Sequence, residues 1–286
     1  MKWVNVFTNP GGHRVGGLAW ANDQLLISDP DCSVIHAWNP LSNLSDVFRA
    51  HTGGASALTA RGGEVFGAQE FSRRVVEYCA DGSTRQTAFQ LAGAYHNMPA
   101  GIFVDAQGDI WVADAFARVQ SFGPQIFPYL PHASILRMSR NSLGWVMRRM
   151  SFDTRAPQSV AVSLDGKTVF VSEGDETDER REIRAYMMRT DGSLAPPRTL
   201  HTFGFDHSGP HAGARQLTIA SSGELIAVCG SLHSGPRPSV LVFSAEGDLL
   251  RGNPLPSIDP TSCCLTPKGT LYVGTREGGV YACDGF

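Results

Sequence analysis

The sequence predicts an all-β protein that forms one domain over residues 1–286, a six-bladed β-propeller closed by an N-terminal strand that completes the last blade. Three observations support this prediction. A strand–turn–strand pattern occurs six times, its turns are spaced by about one blade length, and the spacing closes across the two chain ends. Hydrophobic residues make up 42% of the chain and charged residues 18%, which is enough apolar material for a folded core.

The repeated pattern is two short apolar strands joined by a turn that contains Gly or Asx. These residues accept the positive φ that a tight hairpin turn requires, so each copy is predicted to be a β-hairpin. The six copies read GGLAWANDQLLISD, SALTARGGEVFGAQ, GIFVDAQGDIWVAD, SVAVSLDGKTVFVSE, LTIASSGELIAVC and CCLTPKGTLYVGT. Their turn residues are Asp23, Gly63, Gly108, Gly166, Gly223 and Gly269.

The spacing of these turns defines the blades. Consecutive turns are 40, 45, 58, 57 and 46 residues apart, and 40 residues separate the last turn from the first when the chain ends are joined. Most hairpins continue into a third strand, as in SVIHAWNP and SILRMSRN. The last copy ends near Phe286 without room for a fourth strand, so residues 2–7 (KWVNVF) are predicted to supply it and to cover an exposed edge. A solenoid with free ends is the alternative, but no segment resembles the capping repeat that it would need.

Two insertions account for the two longest spacings. Residues 116–132 (FARVQSFGPQIFPYLPH) are aromatic and proline-rich, and Phe122, Phe127 and Tyr129 would be costly to leave in water. This segment is expected to pack on the body or, in the favoured interpretation, to cover a pocket. Residues 174–182 (GDETDERRE) are strongly charged and are expected to form a solvated loop.

Charge and cysteine content narrow the classes of partner. With 24 basic and 27 acidic side chains, the chain has no strong field for nucleic acid or anionic lipid, so no nucleic-acid and no membrane partner is expected. No apolar run is long enough for a signal peptide or a membrane span. The six cysteines lack the spacing of a disulfide framework or of a zinc-binding CxxC pair. We therefore expect a cytoplasmic protein with reduced thiols.

Four segments carry a resemblance to a known family. GGLAW resembles E-G-P-x-W, HNMPAGIFVDAQGDIWVAD resembles N-R-P-N-D-x-x-x-D-x-x-G, APQSVAVSLDGKTVFVSE resembles P-N-G-x-A-x-S-x-D-x-x-T-L-Y-V-x-D, and PTSCCLTPKGTLYVGT resembles the P-T-S-C-x-F segment of a last blade. In order and spacing they resemble the gluconolactonase, senescence marker protein and luciferin-regenerating enzyme family over nearly the whole chain. The resemblance implies a six-bladed propeller that hydrolyses lactones or related esters.

The resemblance also implies a divalent, calcium-like cation at the mouth of the central channel, held by one Glu, two Asn and one Asp. The matching positions here are Gly16, Ala100, Gln158 and Arg215. Only Gln158 keeps an oxygen donor, and Arg215 places a permanent cation where the family places its metal. This chain is therefore expected to bind no cofactor and to have lost the metal site.

Two interpretations of the funnel at the channel mouth remain. The first is a metal-independent enzyme, a lactone, ester or epoxide hydrolase or a related lyase, cyclase or isomerase, in which Arg215 steadies a carboxylate or an oxyanion. The second is a non-catalytic propeller that binds a small molecule or a protein on the same face. The candidate catalytic residues are Arg215, His96, His211, His233, Glu70, Asp114 and Glu173. The candidate substrate-binding residues are Asp29, Asn97, Gln158, Phe122, Phe127 and Tyr129.

Simpler roles stand beside these. Asp29 and Asp114 end strands, where Asp often caps a turn, and Glu70 precedes Arg73 and Arg74, either of which it would pair with on the surface. Most of the nine histidines must be structural or solvated. Other enzyme classes are not supported, because the chain has no GxSxG elbow, Walker loop or HExxH motif and no WD40 or kelch signature.

Overall fold

A computed structural model describes residues 2–117 and 128–286. Its described strands form six four-stranded antiparallel sheets, the six blades of a propeller, and two short hairpins between blades. Strand β1 (Val4–Thr8) and a 3-10 helix (Pro10–Gly12) precede blade 1. Among the described residues, each hydrophobic core cluster combines side chains from two neighbouring blades, so the core lies between the blades.

The strands of the first three blades have the following bounds. Blade 1 contains β2 (Leu18–Ala21), β3 (Gln24–Asp29), β4 (Val34–Asn39) and β5 (Leu44–Ala50). Blade 2 contains β6 (Ala55–Arg61), β7 (Glu64–Gln69), β8 (Arg74–Tyr78) and β9 (Thr84–Gln86), and a hairpin of β10 (Gln90–Leu91) and β11 (Ala94–Tyr95) follows it. Blade 3 contains β12 (Met98–Val104), β13 (Ile110–Ala115), β14 (Ser134–Asn141) and β15 (Gly144–Arg149).

The remaining blades follow the same order from the channel outwards. Blade 4 contains β16 (Pro157–Val162), β17 (Thr168–Glu173), β18 (Glu182–Met187) and β19 (Arg198–Thr202), and a hairpin of β20 (Phe205–Asp206) and β21 (Gly209–Pro210) follows it. Blade 5 contains β22 (Ala214–Ile219), β23 (Leu225–Cys229), β24 (Ser239–Phe243) and β25 (Leu249–Pro254). Blade 6 contains β26 (Pro260–Leu265), β27 (Thr270–Thr275) and β28 (Gly279–Asp284).

The turn and closure predictions are confirmed. All six predicted turn residues have a positive φ, from 56° at Asp23 to 88° at Gly223. Strand β1 pairs antiparallel with β28, with Val4 opposite Ala282, and thus becomes the outer strand of blade 6. Trp3 lies against Phe286, with ring centroids 6.1 Å apart. The two chain ends therefore share one sheet, and the edge that β28 would otherwise expose is covered.

Neighbouring inner strands approach so closely that two positions near the channel require glycine. A Cβ added to Gly17 would lie 2.3 Å from the backbone nitrogen of Leu58 in blade 2. A Cβ added to Gly101 would lie 2.6 Å from the carbonyl oxygen of Gln158 in blade 4. Both glycines are part of the segments that carry the family resemblance, and their role is to let the blades meet around the channel.

No helix within residues 2–117 and 128–286 is long and apolar enough to cross a membrane. Of the aromatic insertion, Phe122 and Phe127 lie outside the described residues, so their predicted place near a pocket stays a prediction.

Candidate active site

The first residues of the inner strands surround a cavity of about 200 Å³ at one end of the central channel. Every blade contributes to its wall. The lining residues are Arg14, Val15, Gly16, Ser56, Glu70, Met98, Ala100, Gln158, Arg215, Gln216, Pro260, Thr261 and Arg276.

A β-bulge at the start of five inner strands directs side chains toward this cavity. In each of β6, β12, β16, β22 and β26, the pairing with the next strand skips one residue. An unpaired bulge residue can point away from the two faces of its sheet, and bulges commonly re-aim a side chain next to an active site. The five skipped residues, all of which line the cavity, are Ser56, Ala100, Gln158, Arg215 and Thr261.

The four positions at which the family resemblance implies cation ligands all lie in this wall, as that resemblance implies. Gly16 and Ala100 offer no donor side chain, Arg215 adds positive charge, and Gln158 alone offers an oxygen. Calcium takes six to eight oxygen ligands. The residues at these four positions therefore do not fit a calcium-type ion.

Three guanidinium groups of the described residues line the cavity, and each is fixed by a carboxylate. Arg215 Nη2 lies 2.9 Å from Glu176, and the Arg215 side chain is only 15% exposed. Arg14 contacts Glu70 at 3.1 Å, and Arg276 Nε lies 2.9 Å from Asp259. Of these carboxylates only Glu70 lines the cavity itself. Among the described residues the lining therefore carries more positive than negative charge, which favours an anionic ligand.

The charged insertion at residues 174–182 is more than the solvated loop that its composition suggests. Its Glu176 holds Arg215, and Asp175 is buried. Glu173, at the base of the insertion, accepts hydrogen bonds from the backbone N–H groups of Arg155 and Ala156 and from Arg184 Nη1 at 3.2 Å. The predicted catalytic candidate Glu173 thus lies outside the cavity lining and secures the loop that positions Arg215.

His96 and Asp114 lie together but away from the cavity. Both side chains are fully buried, and His96 Nδ1 is 3.7 Å from Asp114 Oδ1. The other Asp114 oxygen accepts the backbone N–H of Asn97 at 2.9 Å, and the Asn97 amide donates to the carbonyl of His132. This is a buried polar cluster within blade 3, not part of the channel mouth where these three residues were expected.

Tyr129 lies beside this buried cluster and is linked to it by Arg73. The Arg73 guanidinium stacks on the Tyr129 ring at 3.5 Å and donates to the carbonyl oxygen of His96 at 2.7 Å. The part of the aromatic insertion that the structure describes at Tyr129 thus packs over blades 2 and 3, and Tyr129 does not line the cavity.

The remaining two histidines differ sharply in environment. His211 is buried against the Phe203 ring, and its Nδ1 accepts the backbone N–H of Gly213 at 3.0 Å. Burial, with smaller effects from nearby cations, lowers the pKa of His211 to about 4. His233 is 75% exposed at its side chain, and its Nε2 is 3.9 Å from Asp259, the partner of Arg276. Of the three predicted histidines, His233 is the one whose side chain has access to water, and among the described residues it is linked to the cavity lining only through Asp259.

Sequence reasoning therefore placed Arg215, Gln158 and Glu70 in the cavity and missed Arg14 and Arg276. Arg14 stands two residues before the first inner-strand position, and Arg276 directly follows β27. Strand ends that face the channel mouth are the signal that would have found them. The remaining candidate, Asp29, is buried beside His13 and Cys32 and does not line the cavity.

Comparisons with known proteins agree with this architecture. A search of curated protein sequences found no significant match. A gluconolactonase from Xanthomonas campestris has a similar structure, with a TM-score of 0.80, 22% identity and coverage of 98% of this chain and 88% of that one. A luciferin-regenerating enzyme gives a TM-score of 0.73 and 16% identity, over 100% and 95% of the two chains. A virginiamycin B lyase from Staphylococcus aureus gives a TM-score of 0.59 and 12% identity, over 98% of this chain and 97% of that one. The family model of the SMP-30/Gluconolactonase/LRE-like region matches residues 16–277, and the chain belongs to this family.

Proposed function

We propose that this protein is a small-molecule hydrolase that opens a lactone or a related ester at the channel mouth without a calcium-type cation. The observation that carries the proposal is the arginine at the bulge of β22. Arg215 lines the cavity at a position where the family resemblance implies a metal ligand, and Glu176 holds it from behind. A fixed guanidinium can take over the electrostatic role of a cation toward a developing oxyanion.

Two further groups complete a simple hydrolytic mechanism. Glu70 is the one carboxylate among the described lining residues, and Arg14 orients it. In the proposed reaction, a water molecule attacks the carbonyl carbon while Glu70 accepts its proton, and Arg215 stabilises the oxyanion that forms. The intermediate then expels the alkoxide, which takes the proton from Glu70. His233, whose exposed side chain lies 3.9 Å from the Arg276 partner Asp259, is the available proton carrier to solvent.

The cationic lining also restricts the substrate class. With Arg14, Arg215 and Arg276 around one small cavity, a substrate that carries a carboxylate or another anionic group beside its ester is favoured over a neutral one. Opening of an epoxide or a base-promoted elimination would use the same two groups, Glu70 and Arg215. These reactions remain alternatives within the enzyme interpretation.

The test replaces Arg215 by Ala and compares turnover on a panel of γ- and δ-lactones with and without a carboxylate substituent. Mass spectrometry detects addition of one water. We expect loss of turnover by at least about a hundredfold, in the range found for removal of one oxyanion-stabilising donor. Stability should change by about 1 kcal/mol at most, because Glu176 is 34% exposed and becomes solvated. Unchanged turnover in R215A would overturn the assignment.

A matched control variant tests whether Arg215 acts through its charge in the cavity or only through its ion pair with Glu176. Glu176→Gln removes the ion pair but leaves Arg215 in the wall, so turnover should fall far less than in R215A. If the two variants lose activity equally, Arg215 matters only through its ion pair with Glu176, and its proposed role in stabilising the oxyanion is wrong.

The second candidate function is a binding protein for an anionic small molecule. It is favoured by the pairing of Glu70 with Arg14, because a carboxylate engaged in an ion pair is a weaker base. This function predicts saturable binding of a carboxylate-bearing lactone that R215A abolishes, while mass spectrometry finds the ligand unchanged.

The balance of acidic and basic side chains and the cysteine content also bear on the location and the partners. We propose a cytoplasmic protein whose partner is a small molecule, with no nucleic-acid or membrane partner. The six cysteines support this location, because all of them are free thiols in the structure.

A further inference from the structure

Three potential metal ligands meet beside blade 1, outside the cavity lining. His13 lies in the segment that leads into β2, Asp29 is the last residue of β3, and Cys32 follows it in the turn before β4. His13 Nδ1 is 3.2 Å from Asp29 Oδ2 and 3.0 Å from Cys32 Sγ. One donor atom from each side chain lies within 4.8 Å of the other two. The sequence did not suggest this cluster, because His13 is separated from Cys32 by a whole β-hairpin.

The arrangement differs from a thiol–imidazole–carboxylate catalytic relay. In such a relay the carboxylate and the nucleophile contact opposite nitrogens of the imidazole ring. Here Cys32 and Asp29 both approach Nδ1 of His13, which can donate only one proton. Three donor atoms that converge on one point, each able to act as a metal ligand, form the geometry of a chelate.

The distances suit a small tetrahedral ion. Zinc binds sulfur at about 2.3 Å and nitrogen or oxygen at about 2.0–2.2 Å, so ligand atoms around it lie roughly 3.3–3.6 Å apart. The observed separations from Nδ1, 3.0 and 3.2 Å, need to widen by only a few tenths of an ångström. Thiolate and imidazole ligands favour zinc and similar transition metals over calcium or magnesium.

The surrounding structure holds the donors in place. Asp29 is 2% exposed, and its second oxygen accepts the backbone N–H of Cys32 at 2.9 Å, which directs Oδ2 toward His13. The His13 ring packs on the backbone of Gly11, where an added Cβ would lie 3.0 Å from its Cε1. Cys32 is exposed and the His13 side chain is 41% exposed, which leaves an entry path and room for water as a fourth ligand.

We propose that His13 Nδ1, Asp29 Oδ2 and Cys32 Sγ bind one zinc ion, with water as the fourth ligand and with release of the thiol proton to solvent. Two anionic ligands neutralise the charge of Zn²⁺. The ion joins the segment before β2 to blade 1, where an ion pair between Arg14 and Asp31 at 3.1 Å already links them. Because Arg14 also contacts Glu70, the zinc site would rigidify one wall of the channel mouth without entering it.

The test titrates metal-free protein with Zn²⁺ against a chromogenic indicator, and then with Co²⁺ as a spectroscopic probe. We expect one equivalent of zinc, and with cobalt a thiolate-to-metal charge-transfer band. Cys32→Ser and His13→Ala should each weaken binding by more than about tenfold and abolish the band or shift it. Asp29→Asn keeps the acceptor for the Cys32 N–H and should weaken zinc binding without unfolding the turn.

Two control variants remove a thiol and an imidazole elsewhere. Cys79→Ser and His51→Ala, which take away another free thiol and an exposed histidine, should leave the stoichiometry and the cobalt band unchanged. Circular dichroism checks that every variant is folded. Absence of stoichiometric zinc binding, or equal affinity in folded C32S, would overturn the proposal. Either result is independent of lactone turnover, so it leaves the proposed function untouched.

Discussion

Replacement of His211 by Asn should make the free energy of unfolding of this protein less dependent on pH between 6.5 and 4. His211 is buried, and its pKa in the folded protein is lowered from 6.5 to about 4, first by desolvation and then by the nearby charges of His201 and Arg215. Since one pKa unit corresponds to about 1.4 kcal/mol, the difference amounts to about 3 kcal/mol.

The sign follows from proton binding in the two states. Above pH 6.5 the imidazole is neutral in both, and the lowered pKa has no effect on stability. Between pH 6.5 and 4 the unfolded chain binds a proton that folded His211 does not, so stability falls as the pH falls. Below pH 4 both states are protonated and the loss is complete.

Asn is the informative substitute because its side-chain oxygen can still accept the N–H of Gly213 but cannot be protonated. It gives up the contact with the Phe203 ring, where the centroids are 4.6 Å apart, at a cost of about 1 kcal/mol at every pH. Urea unfolding followed by tryptophan fluorescence, from pH 7.5 to 4 in half-unit steps, measures both effects. His207→Asn, at an exposed histidine nearby, is the control.

The expected result is a free energy of unfolding that falls by about 3 kcal/mol less in H211N than in wild type over this range. His207→Asn should follow the wild-type curve. An H211N curve parallel to the wild type would refute the reasoning, because it would mean that folded His211 takes up its proton near pH 6.5 after all.

Two further expectations concern stability. Gly17→Ala should prevent folding or destabilise the protein by more than about 3 kcal/mol, because the added Cβ would lie 2.3 Å from a backbone nitrogen of the next blade. The control Gly204→Ala, where an added Cβ has no heavy atom within 4 Å, should leave the thermal denaturation temperature unchanged. Arg184→Met should cost about 3 kcal/mol in urea unfolding, because it removes a cation 3.2 Å from Glu173, whose side chain is 1% exposed. The same change at exposed Arg148 should cost less than about 0.5 kcal/mol, and equal effects at the two arginines would contradict this account.

The fold could be predicted because its information is local and repeated. Each turn residue needs only its own positive φ, and six copies of one hairpin determine the order of the blades. The family resemblance placed Gly16, Ala100, Gln158 and Arg215 at the starts of inner strands, and the structure puts all four in one wall. The bulges that direct the side chains at Ala100, Gln158 and Arg215 were not predicted, because a skipped pairing leaves no composition signal in these strands.

Contacts between loops could not be read in the same way. Composition marked residues 174–182 as a charged loop, yet only the tertiary structure shows that Glu176 faces Arg215. The predicted histidines looked alike in sequence, and burial separates them: His96 and His211 lie inside the protein, while His233 reaches solvent. Solvent exposure depends on what packs above a side chain, which its neighbours in sequence do not determine.

The sequence by itself thus determined the six blades and their closure by the N-terminal strand, since short-range turn geometry and a regular period specify both. The positions around the channel mouth came from the resemblance of its segments to a known family. Only the tertiary structure decided which carboxylate holds each channel arginine and that His13, Asp29 and Cys32 share one point. These contacts join segments that follow no common period, so their chemistry becomes visible only when the propeller closes and brings them within ångströms of each other.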